Sequence, residues 1–322
     1  MIPEIYGNEK LLALIRTMVQ NHHLPHACLI HGEAGLGKKT IARYLAMAAL
    51  CEQKDAPCGT CRSCRKMLQD IHPDLILVEH SGKKQGFSVE TIRSVLRDAI
   101  VAPNDGARKV YLFTDCDQID PRAQNTLLKL TEEPPPHVLL IFTAGHPNVF
   151  LTTMLSRMMP LAVTPVSEAD CIRALREKGH SPDDAARAAV VCPGNIGRCQ
   201  EWLASESFRK LTDQAGLLTA AIAGRQSYEI LRLLHEYETD RAQAAALLRL
   251  LDLQLRDAIV MKYTHSHLTG CDRPSAERLS GQLTSTRAMQ LHEAVQEASE
   301  ALHANVSTKL VLAALGGQLM QS

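Results

Sequence analysis

Four short runs in the first half of the chain are continuously apolar at their centres: "HACLIHG" (26–32), "DLILVEH" (74–80), "KVYLFTD" (109–115) and "HVLLIFTAG" (137–145). Turn residues flank each run, and stretches of helical spacing separate them. A strand that is apolar on both faces must be covered on both, so the pattern predicts a parallel sheet with helices on its two sides. Beyond Pro165 the pattern becomes helical only. "SEAD" (167–170) and "SPDD" (181–184) each place a capping Ser three residues before an Asp, the second with Pro182 at the first helical position. "CPGN" (192–195) interrupts the chain ahead of a short helix. Long helices follow from about Glu206, the clearest being "AAALLRLLDLQLRDAIVMKY" (244–263). The expected plan is an α/β phosphate-loop domain with a parallel sheet, a small helical domain and an all-α C-terminal domain.

Composition narrows this picture a little. A length of 322 residues allows two or three domains, each with its own core. With 35 basic and 35 acidic residues the net charge is zero, so bulk charge does not point to tight nucleic-acid binding. Aromatics are only 4%, too few for a stacking platform on single strands. The N-terminus lacks a charged-then-apolar signal pattern, and no run of apolar residues is long enough to span a membrane. A cytoplasmic chain is therefore expected, in which the ten cysteines are thiols or metal ligands rather than disulfides.

"HGEAGLGKKT" (31–40) contains Gly32, Gly37 and Lys38 at the spacing G-x-x-x-x-G-K, with Gly35 between them. It follows a predicted strand and opens a predicted helix, the context a phosphate loop requires. Glycines there let backbone N–H groups turn onto phosphates, and the helix N-terminus adds partial positive charge. Lys38 would reach the terminal phosphates. The next position should supply a hydroxyl to Mg²⁺, but it is Lys39, and Thr40 lies ~100° further round the helix. A hydrolysing site of this kind also ends a strand in Asp-Glu, one for the metal shell and one for water. Aligned on Lys109 and its strand, those places hold Thr114 and Asp115, with Asp117 a displaced substitute. The loop has the shape for phosphates and lacks the residues for metal.

"CEQKDAPCGTCRSC" places Cys51, Cys58, Cys61 and Cys64 within fourteen residues, separated by six, two and two positions. Four thiolates in one short loop suit a closed tetrahedral Zn²⁺ site, which is structural because no coordination position stays open. A redox C-x-x-C pair or an iron–sulfur cluster are the alternatives. Arg62, Arg65 and Lys66 would offset the negative charge of the thiolates. Cys28, Cys116, Cys171, Cys192, Cys199 and Cys271 have no metal spacing and read as small core residues. "HHLPH" (22–26) invites a metal reading that its place before a strand disfavours. In "LLKLTEEPP" (127–135), Leu127, Leu128 and Leu130 suit one buried helix face, and Glu132 and Glu133 precede a proline stop, a mainly structural reading.

The phosphate loop, "NTLLKLTEEPP" (125–135) and "LSRMMP" (155–160), in that order on an alternating α/β background, resemble the AAA+ clamp loader subunits of bacterial DNA polymerase III, the delta-prime type most of all. The resemblance extends from "IYGNEKLLALI" (5–15) to "NVSTKLVLAAL" (305–315). It implies an AAA+ nucleotide-binding-like domain over 1–166 with a zinc module at 51–64, a lid over 167–207 and an oligomerisation collar over 208–322. It further implies that Ser156-Arg157 sits at a subunit edge, with Arg157 an arginine finger for the ATP of a neighbour. Met158 stands where the family usually has Cys. A Gly-Ser-x-Arg turn in the family's second domain corresponds to "GNIG" (194–197), so Gly197 replaces the arginine and Arg198 is one position off. The implied function is a non-hydrolysing subunit that helps load a sliding clamp onto primed DNA, with gamma/tau-like ATPase and delta-like subunits as partners. Nucleotide and Mg²⁺ in its own site are doubtful on this reading. An active gamma/tau-like ATPase is the alternative, and a zinc-ribbon DNA-binding module a weak third.

Overall fold

A computed structural model describes residues 4–78, 80, 86–264, 268 and 272–320. They fall into two compact units, Met1–Thr164 and Pro165–Ser322. The first unit runs α1 (Glu9–Gln20), β1 (Ala27–His31), α2 (Lys38–Leu50), α3 (Arg62–Leu68), β2 (Leu75–Val78), α4 (Val89–Ala99), β3 (Lys109–Phe113), α5 (Pro121–Glu132), β4 (Val138–Ala144), α6 (Thr152–Leu155) and β5 (Met159–Ala162). The four apolar runs are β1 to β4. They make a sheet in the order β2-β3-β4-β1-β5 with every pairing parallel.

Strand β5 has no counterpart among the expected elements. It is four residues long, contains Pro160 and buries only Leu161 fully, as an edge strand with one neighbour can. Period-two alternation sends Cys28, Ile30, Val110, Leu112, Leu139 and Ile141 to a face covered by α1, α2 and α3. Ala27, Leu29, Tyr111, Phe113, Leu140 and Phe142 face the other side, against α4, α5 and α6. Both faces are thus dry, which accounts for the unbroken apolar centres.

The second unit contains α7 (Glu168–Glu177), α8 (Pro182–Val191), α9 (Ile196–Ala204), α10 (Glu206–Ala223), α11 (Ser227–His235), α12 (Arg241–Met261), α13 (Arg273–Gln282), α14 (Ser285–His303) and α15 (Thr308–Met320). Both expected caps form: Ser167 Oγ accepts from Asp170 N, and Ser181 Oγ from Asp184 N, each at 3.1 Å. One apolar core runs from Cys171 in α7 to Leu319 in α15, through α12, whose leucines are buried around most of its circumference. Cys28, Cys116, Cys171, Cys192 and Cys199 are all buried, and Cys271 lies outside the described residues. Among the described residues no helix is long and apolar enough to cross a membrane.

A buried carboxylate joins the start of β2 to the loop ahead of β3. Asp74 accepts from the backbone N–H groups of Asn104 (2.6 Å), Asp105 (2.7 Å) and Gly106 (3.0 Å), and from the Asn104 side chain (3.1 Å). Burial pushes its pKa up, but these donors outweigh burial and hold it below the usual carboxylate value. A depressed folded pKa contributes stability above the unfolded value of about 3.9, lost as pH falls through the folded value. Asp74→Asn should therefore destabilise the chain by about 1–3 kcal/mol at pH 7, since the N–H donors of the 104–106 loop lose one of two acceptor oxygens and the charge that strengthens these bonds. Urea unfolding at pH 7 and below about pH 4 checks this, with the gap between variant and wild type narrowing at the lower pH.

Candidate functional site

Parallel strands all deliver their C-terminal ends to one edge. The order reverses beside β1, because the chain leaves β1 for the far strand β2 and returns through β3 and β4. Ligand crevices in open parallel sheets form at such a reversal. Here it gathers the loop after β1, Asp115 after β3 and Gly145 after β4.

The loop has the backbone its sequence calls for. Gly32, Gly35 and Gly37 have φ of 147°, 90° and 90°. A Cβ on Gly32 would stand 2.7 Å from the Val163 carbonyl oxygen, so no other residue fits. Gly37 caps α2, and Lys38, its first residue, is buried with Nζ donating to the carbonyls of Gly32 (2.7 Å) and Glu33 (3.0 Å). Lys39 forms an ion pair with Asp115, so the two metal-side departures meet each other. Asp115 has a left-handed backbone, and its N–H donates to the buried Thr143 hydroxyl at 2.9 Å. Asp117, the displaced acid, accepts from the Gly145 N–H at 2.6 Å. Thr114 follows the end of β3 as expected.

Arg157 lies just past α6, with Ser156 as the cap of that helix. Its Nη1 donates to the Thr153 carbonyl (2.7 Å) and the Ser156 hydroxyl (3.2 Å), and its Nη2 is 3.0 Å from Glu132 Oε1. About a third of its side chain is solvent-exposed (34%). Met158 is buried on the α5 side of the sheet.

The sulfurs of Cys51, Cys58, Cys61 and Cys64 lie within 4.8 Å of one another. The Cys51–Cys61 and Cys58–Cys64 separations are 4.0 and 3.9 Å. Zn–S bonds of about 2.3 Å imply a tetrahedron edge of about 3.8 Å, so the cage could hold a metal ion of this kind. Backbone N–H groups of Cys61 (3.3 Å) and Thr60 (3.4 Å) point at the Cys58 sulfur and bring its pKa down to about 6. Burial pushes the Cys51 and Cys64 thiols up instead. Cys58 would then be the thiolate a cation meets first, with Cys51 and Cys64 giving up their protons as it binds. Cys61 also caps α3 through its sulfur, which accepts from Cys64 N at 3.3 Å. Arg62 (3.7 Å) and Lys66 face Asp105, the residue positioned by Asp74. Ser63 meets His72 at 2.9 Å in the interior.

Residues 7–167, half of the chain, match the family model described as DNA polymerase III, delta subunit. The chain belongs to this clamp loader family, whose members are of AAA+ type. It is 34% identical over 158 residues to DNA polymerase III subunit tau of Escherichia coli, spanning 48% of this chain and 24% of that protein. It is 28% identical over 200 residues to subunit delta' of Bacillus subtilis, spanning 62% of this chain and 60% of the relative. The chain thus spans less than two thirds of either relative. A gamma subunit-related protein from Thermotoga maritima aligns over 96% of this chain and 98% of its own, at 17% identity and a TM-score of 0.43.

Sequence reasoning placed the loop, the cysteine cage and Arg157, and the fold gives each a local setting as described. It missed two partnerships in this clamp loader subunit, Lys39 with Asp115 and Glu132 with Arg157. Glu132 carried a signal: an acid in the last turn of a helix faces the negative end of its dipole and needs a cation nearby. Stripping metal with a chelator, or substituting Cys64→Ser, should lower the melting temperature on the order of 10 °C. Metal analysis beside calorimetry checks this, expecting one equivalent in the untreated chain and a substoichiometric amount in the variant.

Proposed function

We propose that the chain is a delta-prime-like, non-hydrolysing subunit of the cytoplasmic DNA polymerase III clamp loader, which lends Arg157 to the ATP of a neighbouring gamma/tau-like subunit. The observation that carries this reading is the Lys39–Asp115 ion pair. Mg²⁺ on a phosphate loop needs the hydroxyl that follows the loop lysine and a carboxylate from a nearby strand end, here that of β3. Here an ammonium stands in the first place and neutralises the acid nearest to it, while the Gly145 N–H engages Asp117. A dication would have to displace Lys39 while close to Lys38, with no hydroxyl ligand in return.

Family membership supports the remaining parts of this reading. The second unit would serve as lid over 167–207 and collar over 208–322, the collar joining delta-like and gamma/tau-like subunits. Sliding clamp and primed DNA are reached through that complex. Ser156 and Arg157 form the edge toward the neighbour, where a guanidinium suits phosphate because it is always charged and forks onto two oxygens. The cysteine cage holds structural Zn²⁺. The second reading, an active gamma/tau-like ATPase, draws on the intact run Gly32, Gly35, Gly37 and Lys38.

Steady-state ATP hydrolysis separates the two. The purified chain should show no turnover. A loader reconstituted with Arg157→Ala should hydrolyse about 10³-fold or more slowly at the site the finger serves. Turnover by the isolated chain would replace this reading with the second. Lys39→Thr combined with Thr114→Asp should restore Mg²⁺-dependent nucleotide binding in equilibrium titration, because the loop itself has the backbone for it.

A further inference from the structure

Arg157 belongs to a segment that α5 holds at three points. Near the start of α5, the buried Gln124 side chain accepts from Leu151 N at 2.7 Å and donates to the Val149 carbonyl at 3.0 Å, fixing the strand-to-helix passage ahead of α6. Near its end, the Thr131 hydroxyl meets the buried Met154 sulfur at 3.9 Å. One residue later Glu132, the last of α5, reaches Arg157 across 3.0 Å. The first two contacts seat α6 whatever the state of the arginine. The third acts only on the guanidinium.

Both hydrogens of Nη1 are engaged by the turn itself, at Thr153 and Ser156, while Nη2 faces Glu132. These anchors differ in kind. The carbonyl and hydroxyl fix one end of the guanidinium, and the carboxylate sets its rotation about that end. Without Glu132 the guanidinium would keep its Nη1 anchors but turn more freely about them, and the loss of that freedom would fall on the step that recruits it. The location supports a purpose for the acid, since a carboxylate at a helix C-terminus is unfavourable unless a cation faces it.

We propose that Glu132 is the positioning residue of the Arg157 finger, holding the guanidinium in the orientation from which it meets a nucleotide phosphate on the neighbouring subunit. This rests on the trans role proposed above. The pair is exposed and weak as ion pairs go, so it orients the arginine without withholding it from a phosphate, which carries more charge.

The test is a four-way comparison of ATP hydrolysis in the reconstituted loader: wild type, Glu132→Gln, Arg157→Ala and the double variant. Glu132→Gln should lower kcat about 2- to 5-fold with the KM for ATP unchanged. Glu132→Asp, which keeps the charge on a shorter stem, should lie between. In the Arg157→Ala background Glu132→Gln should have no further effect, a result a merely structural role would not give. Arg157→Ala slowing the loader while Glu132→Gln does not would overturn the positioning role and leave the finger standing. An equal effect of Glu132→Gln in both backgrounds would also overturn it, as would a rise in kcat, which would mark the acid as a restraint. An unaffected rate in Arg157→Ala would remove the finger role and this inference with it.

Discussion

The edge that carries the glycine loop depends on a topological constraint: β1 lies between β4 and β5, with β3 next beyond β4. Because all pairings are parallel, the loop after β1 opens beside the ends of β4 and β3, and residues far apart in sequence become first neighbours. Gly32 donates to the carbonyls of Ala144 and Gly145 at 3.2 Å, Asp115 leans on Thr143, and Asp117 on Gly145. A loop placed after an edge strand would have no such neighbours. The dry faces that fix strand order thus also fix which side chains can meet the loop.

That edge explains why the departures from a metal site come as a set. A lysine at 39 adds a second cation at the start of α2, where Lys38 is already buried. An acid at 115 with neither metal nor cation nearby would be a solitary charge on a strained left-handed residue. Together they neutralise each other, and the second cation takes the part of the charge that a metal would supply. The two side chains are half-exposed, so the pairing adds only about 1 kcal/mol or less, but it brings the charges at the two positions together.

Elements whose cause is local or periodic were legible in the sequence. β1 to β4 announce themselves because burial on both faces leaves no room for polar residues. Ser167 and Ser181 announce their helices because a cap is a contact three residues long. The cysteine cage is likewise a local cluster. β5 was not legible, since Pro160 and exposed alternate positions give no strand signal and only the neighbour β1 makes it a strand. Lys39 with Asp115 and Glu132 with Arg157 were hidden for the same reason. Each joins two elements that the sheet order brings together, and neither residue's own surroundings in sequence name its partner.

The cysteine cage and the turn around Arg157 occupy opposite faces of one sheet. Cys51, Cys58 and Cys61 pack with α1 and α2 on the face that carries Ile30 and Leu112. Met154 and Met158, on either side of Arg157, pack with α4 and α5 on the face that carries Leu29 and Phe113. The cage is joined to the sheet by a polar chain, from Asp74 through Asp105 to Lys66 of α3, while Arg157 is joined through α5. The strands between are close-packed and shared, but alternate residues of each strand serve only one side. A loosened cage would therefore disturb α3 and the loop around Asp105 while leaving Gln124, Thr131 and Glu132 in place. The two-residue period of the strands, which sends alternate side chains to opposite faces, keeps the cage and the turn around Arg157 apart.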